Sequence, residues 1–399
     1  MDLRESDELV SFRAEAGNWL EAHAPAKGTA EDFTSGRDGR FVEGCRHWQA
    51  ALHAGGWAGI AWPTEHGGRG QSALFDLTFA RLAAAYGVST AAFDVGIGMV
   101  GPTLMVHGSP EQKQYHLPAL LRGEHVWCQM FSEPGSGSDL ASLSTAARPV
   151  GGGWLVNGAK VWTSYARFAD YAILLARSDP ERPRHRGISC FALDMTTPGI
   201  EVRPIGQMNG MAEFNQVFLT DVFIPDRAVV GDVHDGWSVA NTMLGSERGL
   251  AGAEWPGSAD MVSVARRRGT STDPLVRQRI VEAFIGEEIL RFLDLRVQTR
   301  LAQGAPLGPL ASIVNLSFAD HLRRTGNAAA ALLGPDILVA DSQTSPAGRW
   351  QFHLLTAPSV RIASGTDEIQ RNILGERALG LPRQPRPPVP ERAVGSRPA

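Results

Sequence analysis

The chain has 399 residues, 43% of them hydrophobic, and a net charge of -4 without a long acidic or basic run, so it can bury the cores of two or three domains, and neither nucleic acid nor an anionic membrane is indicated as its main partner. Cys45, Cys128 and Cys190 lie far apart and form no zinc spacing, which fits a reducing compartment rather than a disulfide framework. The acidic start MDLRESDELV is unlike a targeting peptide and no apolar run approaches the ~20 residues of a membrane span, so a soluble, cytoplasmic protein is expected.

Leu9, Phe12, Ala16 and Leu20 recur at helical spacing, and further helices are predicted over His47–Gly55, Phe75–Tyr86 and Pro110–Leu121, with a loop at Trp62–Gly70. The period then changes to two. Asn157-Gly158 between Trp154–Val156 and Ala159–Thr163 has the form of a type I′ hairpin turn, and β-rich runs follow at Tyr171–Leu175, Ile188–Leu193, Ile200–Val202 and Val217–Ile224. Helical periodicity returns over Trp237–Leu250, Pro274–Ala302, Leu310–Leu333 and Asp367–Ala378, as in a four-helix bundle. The result is an α+β fold: an N-terminal all-α domain (1–125), a small β domain (126–235), a C-terminal helical bundle (236–381) and a Pro- and Arg-rich flexible tail (382–399).

Gln129 to Leu140, QMFSEPGSGSDL, brings glycines and hydroxyls next to backbone N–H groups, which suits a phosphate or a polar ring edge but also describes an ordinary serine-rich turn. Downstream, KVWTS (160–164) adds an indole and hydroxyls; taken alone, Trp162 reads as a half-buried strand aromatic. Thr366, Asp367 and Glu368 form a good helix start, with a hydroxyl cap and acids at the positive end of the dipole. His66, His107, His116 and His125 have no metal-binding spacing, and no metal is expected.

In order, FSEPGSGSDLAS, NGAKVWTS, EFNQVFLTDVFIP and SGTDEIQRNILGERALG, preceded by GWAGIAWPTEHGGRG, resemble the acyl-CoA dehydrogenase family of flavoproteins over nearly the whole chain. The resemblance implies FAD held between the β domain and the bundle, by Gln129, Phe131, Ser132, Gly137, Ser138, Trp162, Ser164, Thr366 and Glu368, with Ser164 near the flavin N5. It also implies a tetramer, homomeric or heteromeric, in which an arginine reaches a neighbour's FAD. Arg268 stands in that position, although the residues after it, Gly269-Thr270-Ser271, depart from the family pattern and a solvated basic turn is the competing reading.

The implied reaction removes a proton from Cα of an acyl-CoA thioester while a hydride leaves Cβ for the flavin, giving the trans-2-enoyl-CoA, with electrons passed to an electron-transfer flavoprotein. Where many relatives carry the carboxylate base, this chain has Ser364. A second branch carries it before an arginine on the first bundle helix, and Glu247-Arg248 match. Ala240, Met243, Leu244 and Glu247 share one helical face, so the acid there is either the catalytic base or half of a structural ion pair. Ser138, Arg248, Ser364 and Gly365 are the implied substrate contacts. Two other readings stay open: a non-catalytic or half-site subunit of a heteromeric dehydrogenase, and a flavin monooxygenase on the same scaffold.

Overall fold

The computed structural model describes residues 6–34, 36–247, 255–339 and 346–383, with the side chains at 246, 247 and 346 outside that description. Arg248 and the tail from residue 384 onward therefore lie outside the described residues.

The first helices are α1 (Asp7–His23), α2 (Gly39–Ala54), α3 (Ala73–Ala83), α4 (Gly101–His107) and α5 (Pro110–Leu121). Three of them begin at side-chain caps. Ser6 caps α1 through its hydroxyl, Asp38 caps α2, and Ser109 with Gln112 forms a capping box on α5. Leu9, Phe12, Ala16 and Leu20 are buried as their spacing requires. The Gln112 amide also donates to the carbonyls of Arg227 and Val229, both at 2.9 Å, which fixes α5 against the β domain.

The β domain comprises β1 (Trp127–Met130), β2 (Ala146–Val150), β3 (Gly153–Ser164), β4 (Tyr171–Arg177), β5 (Ile188–Asp194), β6 (Ile200–Pro204), β7 (Phe214–Pro225) and β8 (Val229–Val230). They form one sheet in the order β6-β7-β3-β2-β4-β5-β8, with β1 pairing parallel to β4. Alternation along β4 and β5 divides their side chains between two cores. Ile173, Leu175, Ile188, Cys190 and Ala192 join the core of the N-terminal helices, whereas Ala172, Leu174, Phe191 and Leu193 pack inside the β domain.

The expected hairpin turn at Asn157-Gly158 is absent: these residues lie inside the continuous strand β3, and the reversal falls at Gly151-Gly152 between β2 and β3. The pair marks a register shift against β7 instead. The Asn157 amide donates to Asp221 Oδ1 at 2.9 Å and its carbonyl oxygen accepts from the Asp221 N–H, while Asp221 takes the left-handed conformation (φ 50°). Gly158 is required by its neighbour, since a Cβ there would lie 2.4 Å from Thr145 Oγ1.

The C-terminal helices are α6 (Gly236–Glu247), α7 (Ser258–Arg267), α8 (Pro274–Ala302), α9 (Pro309–Leu333), α10 (Pro346–Val360) and α11 (Asp367–Ile373). α6 packs on β5 and α4, with Val239, Ala240 and Met243 fully buried. Its first residue approaches the sheet so closely that a Cβ at Gly236 would lie 2.6 Å from the Ser189 carbonyl carbon. The position of α6, and of residue 247 at its end, is thus set by the absence of a side chain at its start.

Candidate functional site

The serine loop leaves β1 and is at once tied to β3, where the Val161 N–H donates to the Ser132 carbonyl at 2.9 Å. Glu133 and Ser136 exchange backbone hydrogen bonds, and Ser136 Oγ donates to the Asp139 carbonyl at 2.9 Å. Gly135 and Gly137 have no neighbouring atom within 4 Å of a Cβ position, so the loop turns its backbone to open space, with Ser138 exposed beside them. The loop and the KVWTS strand, far apart in sequence, are brought together as one surface.

Trp162 is the central feature of that surface. The β3–β7 register shifts between Lys160 and Thr163, and at the shift Trp162 adopts φ 59°, which L-residues rarely take. The indole is consequently thrown outward, 58% exposed, with the Phe214 ring nearly perpendicular to it at a centroid distance of 6.0 Å. Thr163 turns inward and is buried, Asn215 Nδ2 donates to its carbonyl at 2.9 Å, and Ser164 returns to a half-buried position. Thr163 Oγ1 and Asn215 Oδ1 are buried without a hydrogen-bond partner.

Beneath the surface lies a buried ion pair that the sequence reading did not single out. Lys160 Nζ donates to Glu133 Oε1 at 2.8 Å and to the Phe131 carbonyl at 3.1 Å. Glu133 also accepts from the Ser144 N–H and hydroxyl and from the Thr145 N–H, at 2.7, 2.8 and 2.9 Å. The side chains of Lys160 and Glu133 are 0% and 4% exposed. A signal was present: Trp154 and Val156 face the core, so strand parity turns Lys160 inward as well.

Burial alone would raise the Glu133 carboxyl, but the Lys160 ammonium and the surrounding donors overcome it and hold the pKa at about 2. An unfolded glutamate titrates near ~4.3, so the interactions of the Glu133 carboxylate contribute fully above that value and are lost as pH falls toward 2, while desolvation, which lowers Lys160 to about 8, opposes them. Acid titration monitored by circular dichroism should therefore show an unfolding limb below about pH 4.3 that Glu133→Gln shifts or flattens.

At the other end of the chain, Thr366 Oγ1 accepts from the Ile369 N–H at 3.3 Å and caps α11. The Glu368 carboxyl is held below its ordinary range by its own backbone N–H and by the Thr366 hydroxyl. Ser364 and Gly365 both have positive φ, 54° and 92°, and Gln370 Nε2 donates to the Ser364 carbonyl at 2.9 Å. Arg361 Nε donates to the buried Asp367 carboxylate at 2.7 Å, securing the turn from the far side. This motif meets the β domain through α10, where Asn209 Nδ2 donates to Thr356 Oγ1 at 3.0 Å.

The remaining expected residues are distributed differently. Gln129 is half-buried in β1 opposite Ile173 on β4, and Phe131 is buried under the loop. Arg268 ends α7 and pairs with Asp336 in the same chain. Residue 247 is the last of α6. Burial pushes all three cysteine thiols up, which leaves none of them a ready thiolate. Among the described residues, no group of His, Cys, Asp or Glu could hold a metal ion, and no helix is long and apolar enough to cross a membrane.

An outward indole and a glycine- and serine-rich loop with open backbone fit a flat heteroaromatic cofactor with a polar tail, on a chain built of a helical layer, a β domain and a helical bundle. This is the architecture of a flavin-dependent dehydrogenase. The chain belongs to the acyl-CoA dehydrogenase family: its models match the N-terminal domain over residues 6–124, the middle domain over 128–222 and the C-terminal domain over 234–379. It is 35% identical to acyl-CoA dehydrogenase IpdE1 of Mycobacterium tuberculosis over 94% of this chain and 99% of that protein. Acyl-CoA dehydrogenase FadE34 of the same organism is 38% identical, over 84% of this chain and 46% of its own. Among solved structures, the Tcur3481-Tcur3483 steroid ACAD superposes with a TM-score of 0.82 at 29% identity, covering 96% of this chain and all of that one. The chain is an acyl-CoA dehydrogenase, and its cofactor is FAD.

Proposed function

We propose that the chain introduces a trans α,β double bond into a bulky, ring-bearing acyl-CoA thioester, with Glu247 as the base, and passes the electrons to an electron-transfer flavoprotein. The carrying observation is the pairing of Ser364, where the terminal motif could have supplied a carboxylate, with an acid at residue 247, which ends a helix whose Val239, Ala240 and Met243 face is fully buried.

FAD, when bound, supplies the acceptor for the hydride that leaves Cβ. The chain's own residues do the rest. The Glu247 carboxylate accepts the α proton, since a serine hydroxyl at 364 has no comparable basicity. The Ser364 N–H, in a turn with positive φ at Ser364 and Gly365, is the proposed donor to the thioester carbonyl, where it would favour the enolate-like charge that develops. Ser138 and Arg248 are the proposed contacts for the rest of the thioester. Gln129, Phe131, Ser132, Gly137, Ser138, Trp162, Ser164, Thr366 and Glu368 are the proposed FAD contacts, with Arg268 serving a neighbouring subunit.

Support for a ring-bearing substrate comes from the 29% identity to the structure described as a steroid ACAD. Support for a heteromeric assembly comes from the 28% identity, at a TM-score of 0.78, to the ChsE4-ChsE5 complex of Mycobacterium tuberculosis. The chain also carries a surface suited to assembly: Val281, Phe284, Ile285, Ile289 and Phe292 repeat along α8 at helical spacing and are each about half exposed.

Anaerobic titration of the yellow protein with polycyclic and straight-chain acyl-CoA thioesters tests the reading, with the mass in solution measured on the same sample. Bleaching of the flavin band by the polycyclic thioesters and a mass of about four chains are expected. Rapid oxygen uptake with an external reductant, and no bleaching by any thioester, would indicate the oxygenase reading instead.

A further inference from the structure

The Lys160–Glu133 pair is an expensive way to fill a core. Desolvating both charges offsets much of their attraction, and apolar residues of similar volume would commonly stabilise as well. What such residues could not do is hold several backbone groups at once. Glu133 gathers four donors, from Lys160, Ser144 and Thr145, and Lys160 spends a second proton on the Phe131 carbonyl. These partners belong to three segments: the serine loop, the strand β3 that leads into Trp162, and the turn before β2.

The position of the pair along the strand is equally specific. Lys160 precedes the register shift that throws Trp162 outward, and Asn215 Nδ2 holds the other flank through the carbonyls of Thr163 and Glu213, both at 2.9 Å. The Val161 N–H meets the Ser132 carbonyl between them. A strained residue at φ 59° persists only where its surroundings over-determine it, and these contacts supply that constraint on the side facing the loop.

We propose that Glu133 and Lys160 are positioning residues for the cofactor: together they fix the spacing and tilt of the serine loop relative to the Trp162 indole, and so the width of the cleft that grips the flavin. The pair does not touch the ring; it acts through the Phe131 carbonyl and the bulge. This rests on the assignment of FAD to that surface.

The test uses the purified holoprotein, with its partner chain if it has one, and the variants Glu133→Gln, Lys160→Met and the double variant Glu133→Gln/Lys160→Met. FAD dissociation, the fine structure of the flavin absorption band and thermal unfolding are measured on each. Either single variant strands a charge, and both are expected to lose stability and FAD together. The double variant strands none, so its melting temperature should recover while its Kd for FAD stays raised by about tenfold or more and its band loses structure. Wild-type Kd and spectrum in the double variant would overturn the proposal, because a purely structural pair predicts that recovery. If the double variant does not accumulate folded, Ser144→Ala decides: it removes one donor at an exposed residue, and an unchanged FAD release rate there overturns the proposal. A wild-type protein that binds FAD elsewhere or not at all would instead defeat the underlying site assignment.

Discussion

Glu247→Gln is expected to lower the rate of flavin reduction by acyl-CoA by about 10³-fold while leaving the yellow FAD complex intact. The amide matches the carboxylate in size and in helix propensity, so α6 should keep its seat on β5 and α4. What it cannot do is accept a proton from carbon. The helical register supports this choice of residue. Val239, Ala240 and Met243 are 0% exposed, and residue 247 follows Met243 by four positions and Ala240 by seven, which keeps it on the same face. By helical register alone, an acid at this position is either the catalytic base or half of a structural ion pair. The two alternatives give opposite results: loss of an ion pair alone would lower the melting temperature and spare the chemistry, whereas loss of the base would spare the melting temperature and stop the chemistry. Rapid-mixing reduction kinetics beside a thermal melt separates them, and a near-normal reduction rate would remove Glu247 from the mechanism.

The legible parts of this molecule are those whose information is local. Helical spacing marked α1, α5, α8 and α9 nearly to the residue, because the apolar positions that make the period lie within each helix's own sequence. α10 escaped notice because Pro358 interrupts its pattern, although the proline falls near the end of the helix, where it does little harm. The motifs singled out the serine loop and Trp162. They did not announce the conformation of either. Asn157-Gly158 has the composition of a tight turn, and only its pairing with Asp221 on β7 makes it a bulge. The outward swing of Trp162 depends on the same distant strand, and the ion pair beneath it joins residues 27 apart in sequence. Such features require the register between strands, which no local pattern encodes.

The conformation of Trp162 leads to a second large effect. At φ 59° a tryptophan carries strain of about 1–2 kcal/mol that glycine would not. The residue is 58% exposed, so the chain itself gains no packing from more than half of its surface. Trp162→Gly should relieve the strain, and the greater freedom of glycine in the unfolded chain should offset that relief by about 1 kcal/mol. The apo-protein is therefore expected to unfold within about 1 kcal/mol of wild type, an unusual tolerance for loss of the largest side chain. FAD binding should behave in the opposite way. Removing an aromatic wall from a flat ring forfeits stacking of about 0.5–1.5 kcal/mol in addition to the apolar contact area, so the Kd should rise by about tenfold or more. Apo-protein melts and FAD titration of the same variant check both halves. A sharp fall in apo stability would mean that the indole serves the fold, and unchanged FAD affinity would mean that the flavin lies elsewhere. The expected combination would identify the strain as a cost borne by the fold for the cofactor, with the bound ring as the user of the face that the bulge exposes.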